Sequence, residues 1–159
     1  MKLVIIRHGK AEEPRPGVSD EERRLTDEGR KDIEHVARTL PWRVEIVYSS
    51  PLKRAMETAE ILVSVHGSEL RIIDELRPKA IPLGTIARLE MRSVTALVGH
   101  APYIEQLLQE LIGGGNVRLS PGAAAGIETE TIEKGKGVLV YLITPEICKA
   151  VHVHREDRV

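Results

Sequence analysis

The stretch Leu3-Val4-Ile5-Ile6-Arg7-His8-Gly9 decides how this chain is read. Its first four residues form an unbroken apolar run, rich in β-branched side chains. A run without polar alternation suits a strand buried on both faces, as in the middle of a parallel sheet. Arg7 and His8 end the run. Ligands of open α/β sheets bind beyond the carboxyl ends of the strands, so these two residues stand where a site is expected. Gly9 permits a sharp backbone exit or the close approach of a ligand.

Outward from this strand, residues 10–24 carry Pro14, Pro16 and Gly17 and read as a polar loop. Thr26 offers a helix N-cap, with Asp27 and Glu28 placed to complement the helix dipole. Ile33, Val36, Ala37 and Leu40 follow at helical spacing, and Pro41 closes that helix. Val44 to Tyr48 predicts a second strand. Ser50-Pro51 reads as a serine cap with proline at the first helical position. Leu52, Ala55, Met56, Ala59, Leu62 and Val63 then mark one apolar face. Arg71 to Ile73 predicts a third strand, residues 83–91 a short helix, and Val94 to Val98 a fourth strand.

Pro102 opens another helix, with Ile104, Leu107, Leu108 and Leu111 on one face. Gly113, Gly114 and Gly115 stop it. This triplet lacks the Lys-Ser/Thr that follows the glycines of a P-loop, so it reads as a turn. Residues 123–131 and 137–144 predict two more strands, followed by a polar tail. The alternation predicts an α/β fold, with helices on both faces of a mostly parallel central sheet. No repeat, low-complexity tract or linker divides residues 1–159, so one domain is expected.

Lys and Arg number 23 and Asp and Glu 24, for a formal net charge of -1. That balance gives no global attraction to nucleic acid or membrane, so any anion site must come from local placement. Cys148 is the single cysteine, which excludes an internal disulfide framework and suits a reducing compartment. The apolar run at residues 3–6 is too short for a signal-peptide core or a membrane span, and a cytoplasmic location is expected. No Cys/His cluster suggests zinc. His152 and His154 would share a face if their segment were a strand, but no third ligand accompanies them. His35 and His66 read as surface residues on helices.

Three strand-to-helix junctions carry the residues of an anion site. Arg7-His8 follows the first strand, Ser49-Ser50-Pro51 the second with Arg54 one turn on, and Gly99-His100 the fourth. Cations, imidazoles and helix N-termini together point to phosphate. A neutral imidazole is nucleophilic near neutral pH, because its ordinary pKa is about 6.5. Guanidinium groups can meet the charge that spreads over a transferring phosphoryl group.

The Arg7-His8-Gly9 triplet resembles the signature of the histidine phosphatase superfamily, which includes phosphoglycerate mutases and acid phosphatases. Leu25-Thr26, Ser50-Pro51-x-x-Arg54-Ala55-x-x-Thr58 and Gly99-His100 match further pieces of its pattern. Arg7-His8-Gly9-Lys10-Ala11, Glu75-Leu76-Arg77-Pro78 and Gly99-His100-x-Pro102 look most like its SixA branch of phosphohistidine phosphatases. The resemblance runs in order from residue 1 to about 145. It implies a phosphoglycerate mutase-like three-layer αβα sandwich. It also implies His8 as phosphoacceptor, with Arg7, Arg54 and His100 completing the phosphate pocket. No metal or cofactor is implied. The partner implied is a phosphorylated protein, such as a histidine-containing phosphotransfer domain.

One departure from the superfamily bears on substrate. Many members carry a glutamate general acid after a Leu-Arg pair at the end of the third strand. Here Pro78 follows Leu76-Arg77. A missing acid slows departure of an alkoxide but hardly that of a protonated imidazole, which favours phosphohistidine. Glu75 is the nearest candidate donor, and Glu12 or Asp20 could swing in from the loop. Lys10, Arg15, Arg23 and Arg24 flank the site but are interleaved with Glu12, Glu13, Glu21 and Glu22, so they read as a solvated loop. Two alternatives stand beside a protein-phosphohistidine phosphatase. One is a small-molecule phosphomonoesterase of the same chemistry, with a mutase as its weaker form. The other is a phosphate-binding regulatory module without turnover.

Overall fold

The computed structural model describes the backbone of residues 1–156 and the side chains through Val151. In chain order the elements are β1 (Lys2–Arg7), α1 (Asp27–Thr39), β2 (Ile46–Ser49), α2 (Lys53–His66), β3 (Glu69–Ile72), α3 (Leu83–Ala87) and β4 (Val94–Gly99). They continue with α4 (Tyr103–Leu111), β5 (Ala124–Glu128), β6 (Val138–Ile143) and α5 (Pro145–Glu156). The strands form one sheet in the order β3-β2-β4-β1-β5-β6. The first four strands in that order run parallel, and β5 and β6 are antiparallel to their neighbours.

Both faces of the sheet are covered, which is why β1 needs apolar side chains at successive positions. Leu3 and Ile5 join a buried cluster with Ile86 of α3 and Ile104, Leu107, Leu108 and Leu111 of α4. Val4 and Ile6 face the other way, against Val36 and Ala37 of α1, Ala55, Ala59 and Leu62 of α2, and Cys148 of α5. The arrangement is the expected three-layer αβα sandwich. A fully buried Leu or Ile is worth roughly 1.5–3 kcal/mol of hydrophobic stabilisation, so these two clusters dominate the core.

The local signals hold at α1 and break at α2. Thr26 caps α1 by accepting from Gly29 N at 3.0 Å. The Ser50-Pro51 start does not form as expected: α2 begins at Lys53 with Leu52 as a cap residue that makes no side-chain bond. Ser50 Oγ instead accepts from Leu52 N at 3.2 Å and reaches His100. Nor is the chain after β6 a polar tail. Thr144 Oγ1 accepts from Ile147 N at 3.1 Å, and Pro145 takes the first position of α5. His152 and His154 lie on this helix, so pairing them on a strand face does not apply; their side chains are outside the described residues. His66 is a structural tie rather than a surface residue: Nδ1 accepts from Val44 N at 2.9 Å, and Nε2 lies 2.7 Å from the Ala37 carbonyl. Among the described residues, no helix is long and apolar enough to cross a membrane.

Candidate active site

Sheet register brings the junction residues together. Arg7 of β1 pairs with Gly99 of β4, so the next residues, His8 and His100, emerge side by side with ring centroids 5.2 Å apart. Ser49 of β2 pairs with Val98, which places Ser50 beside them. His8 N donates to the Gly99 carbonyl at 3.0 Å, and Ser50 N to the Val98 carbonyl at 3.1 Å. Arg54, on the first turn of α2, points back to His8, with Nε 3.3 Å from His8 Nε2. Arg7, His8, Arg54 and His100 thus line one cleft of about 360 Å³ at the carboxyl end of the parallel strands.

Gly9 has a packing role instead of the expected conformational one. A Cβ there would sit 2.9 Å from Ile33 Cγ1 and 3.2 Å from the Gly29 carbonyl, so the bare backbone lets α1 approach. Its N–H donates to Thr58 Oγ1 at 3.0 Å, which explains the threonine one turn beyond Arg54.

His8 has a defined tautomer. Nδ1 lies 2.8 Å from the Gly9 carbonyl, which can only accept, so Nδ1 carries the proton and Nε2 keeps its lone pair. Burial pushes the His8 pKa down to about 4, against the pull of the Gly9 carbonyl and with help from the charges of Arg54, Arg7 and Arg23. Burial likewise pushes His100 down to about 3, assisted by His8 and Arg54. Both imidazoles are neutral at pH 7. His100 Nε2 is 2.8 Å from Ser50 Oγ. The Ser50 hydroxyl can donate its proton there while accepting from Leu52 N, which leaves the His100 proton on Nδ1.

The donors of the cleft are only partly used within the protein. Arg7 Nη1 donates to the Leu119 carbonyl at 3.0 Å, while Arg7 Nε and His100 Nδ1 are buried with no protein partner. Burial lowers the pKa of both Arg7 and Arg54, yet their ordinary range is so high that both remain charged. Buried donors left unpaired are costly, and a phosphoryl oxygen would satisfy them.

Of the acids, Glu75 is exposed on a 3-10 turn at Asp74–Leu76 and does not line the cleft, whereas Pro78 does. Glu13 lines the cleft, and so does Arg23. Sequence reasoning grouped both with a solvated loop. The residues that follow are ordered by ion pairs: Asp20, in a 3-10 turn at Asp20–Glu22, bonds both Arg23 and Arg54. The D-x-x-R spacing that brings Asp20 and Arg23 onto one turn was the available signal.

Residues 3–81 match the sequence model of the histidine phosphatase superfamily (branch 1). That match takes in 79 of the 159 residues, Arg7, His8 and Arg54 among them. No curated protein matches the sequence. Among solved structures, the chain is similar to the protein histidine phosphatase SixA complexed with tungstate, at 24% identity and TM-score 0.80, covering 92% of this chain and 99% of that one. It is similar to the α-ribazole phosphatase from Shigella flexneri at 18% identity and TM-score 0.72, covering 91% and 97%. A phosphoserine phosphatase from Entamoeba histolytica in complex with 3-phosphoglyceric acid matches at 20% identity and TM-score 0.65, covering 90% and 96%. The histidine phosphatase superfamily and these neighbours support phosphatase activity on a phosphorylated substrate.

Proposed function

We propose that the protein is a single-domain, metal-independent, cytoplasmic phosphatase that works through a phosphohistidine on His8 and acts on protein phosphohistidine. One observation carries the reading: a His8 ring whose proton is held on Nδ1 by Gly9, with its Nε2 lone pair at a cleft lined by the guanidiniums of Arg7, Arg23 and Arg54 and by a second imidazole. In the proposed reaction the Arg54 Nε–H turns from His8 Nε2 to a phosphoryl oxygen; Nε2 then attacks phosphorus, and the bond to the leaving group breaks with its electron pair. Arg7, Arg54 and His100 Nδ1–H meet the charge on the phosphoryl oxygens. Water then attacks phospho-His8, giving inorganic phosphate and neutral His8.

The leaving group favours phosphohistidine. An N-phosphoryl imidazole protonated on its other nitrogen departs neutral, so it needs no enzyme acid. An alkoxide does. Glu75 stands outside the cleft and Pro78 inside it, which argues against the usual donor position.

A second reading, a small-molecule phosphomonoesterase, is favoured by Glu13, a cleft-lining acid and so a candidate donor. Steady-state dephosphorylation separates the two. A phosphohistidine protein and a panel of phosphomonoesters are compared with EDTA present. Preference for phosphohistidine supports the first reading. Preference for a monoester, lost in Glu13→Gln, supports the second. Loss of all turnover on adding EDTA would refute metal independence.

A further inference from the structure

The loop between β1 and α1 reaches the cleft's Arg54 through one residue, Asp20. Arg54 is almost fully buried, and its three nitrogens are engaged in different directions. Nε faces His8 Nε2 at 3.3 Å, Nη1 donates to the Asp20 carbonyl at 2.8 Å, and Nη2 donates to Asp20 Oδ2 at 3.2 Å. The other carboxylate oxygen, Oδ1, accepts from Arg23 Nε at 2.8 Å and lies 2.8 Å from Arg23 Nη2. Asp20 therefore stands between two cleft-lining guanidiniums that would otherwise repel each other.

The turn that carries Asp20 has other anchors. Arg23 Nη1 donates to the Glu12 carbonyl at 2.8 Å, Arg77 Nη1 to Glu21 Oε1 at 2.6 Å, and Glu21 N to Ser19 Oγ at 3.3 Å. The Asp20 carboxylate is thus not needed to hold its own loop. Its side chain is 59% exposed. The arginines draw its pKa below the usual carboxylate range despite the opposing effect of partial burial. A guanidinium has five N–H groups, and these contacts take three of the five on Arg54, leaving one on Nη1 and one on Nη2.

We propose that Asp20 is a positioning residue whose carboxylate clamps Arg23 and Arg54 together, holding Arg54 against His8 with its two remaining N–H groups free for a phosphoryl oxygen. The purpose of the clamp rests on the phosphatase reading above; its existence does not. Removing the carboxylate leaves Arg54 with His8 and one backbone carbonyl, and exposes it to repulsion from Arg23.

The test uses the full chain, with Asp20→Ala, Asp20→Asn and Asp20→Glu, and with Glu21→Gln as a control that breaks only the Arg77 pair. Exchange of the Arg54 Nε–H with solvent is read by NMR in phosphate-free protein. Affinity for inorganic phosphate is read by calorimetry. Asp20→Ala and Asp20→Asn are expected to speed exchange and to weaken phosphate binding by about tenfold, the scale of one lost charge-assisted hydrogen bond. Asp20→Glu regains part of both, and Glu21→Gln matches the wild type. Unchanged exchange in Asp20→Ala overturns the proposal. So does tighter phosphate binding, which would make the carboxylate a competitor for Arg54 instead of its support. Equal losses in Glu21→Gln would reduce Asp20 to a loop-folding residue and also overturn it. If the wild type binds no phosphate, the phosphatase reading falls, and the exchange data alone decide the clamp.

Discussion

In the parallel half of the sheet, β2 and β4 are buried at every position and β1 from Leu3 to Ile6. In the antiparallel half, β6 leaves Val138, Val140 and Leu142 exposed along the sheet edge. The two halves also differ in what their connections carry. In the parallel half the junctions after β1, β2 and β4 each end a buried strand, and sheet register makes His8, Ser50 with Arg54, and His100 converge. The β5–β6 hairpin closes at the opposite end of β1, where Glu128 pairs with Lys2, and contributes packing instead. Chemistry follows the junctions, not the apolar content of the strands.

The largest test of that contrast is His8→Ala. It is expected to lower turnover by at least about 10³-fold, because it removes the lone pair that takes the phosphoryl group in the proposed mechanism. Tyr141→Phe, in the antiparallel half, is expected to leave turnover within about twofold, since its buried hydroxyl has no protein partner to lose. Steady-state rates on one substrate decide the matter. Comparable losses in both variants would break the comparison. Next in size is His100→Ala, expected to cost about 10²-fold to 10³-fold by removing one of the proposed donors to the transferring group. Single-turnover trapping of phospho-His8 checks whether that loss falls on phosphoryl transfer.

Protonation sharpens the contrast further. At pH 5 an ordinary imidazole would be about thirtyfold more protonated than neutral. With pKa values near 4 and 3, His8 and His100 are expected to remain largely neutral there, as an NMR titration of the ring nitrogens would show. The sign for stability follows. Folded values lie below the unfolded value of about 6.5, so the unfolded chain binds more protons as pH falls from there toward 4. The stability contributed by these two groups is full above about pH 6.5 and is lost as pH falls through the folded values. A melting temperature that stays flat from pH 7 to pH 4 in the wild type would contradict the buried neutral state.

Much of the fold is legible in the sequence because the strong elements follow local rules. The run at Leu3 to Ile6, the Thr26 cap and the apolar stripe of α4 all report burial or capping directly. The junction residues Arg7, His8, Arg54 and His100 are readable as strand-end polar groups, and register then explains their meeting. What escapes is long-range. Ser50 satisfies the rule for a helix cap, yet its hydroxyl serves His100, fifty residues away in sequence. Arg23 and Asp20 look like members of a mixed-charge loop until the fold brings Arg54 to them. His66 gives no hint that Val44 N will donate to it. The α5 start was present in Thr144-Pro145-Glu146, but half-exposed Ile147 and Val151 blur the apolar face that would have marked the helix.

The smallest effect on chemistry belongs to Gly126→Ala, and it asks whether the antiparallel half is purely structural. Gly126 of β5 pairs with Tyr141 of β6, and a Cβ at Gly126 would fall within the Tyr141 ring. That ring also packs against Trp42, edge to face at a centroid distance of 4.9 Å. The ring cannot swing aside without losing this contact, so β6 must shift. Overpacking of this kind costs about 1–3 kcal/mol, read as a lower urea midpoint at unchanged slope. Turnover per folded molecule is expected to match the wild type, because β1 keeps its register with β4. A fall in turnover beyond the folded fraction would mean that strain in the hairpin reaches His8 through β1, and the division between the two halves would not hold.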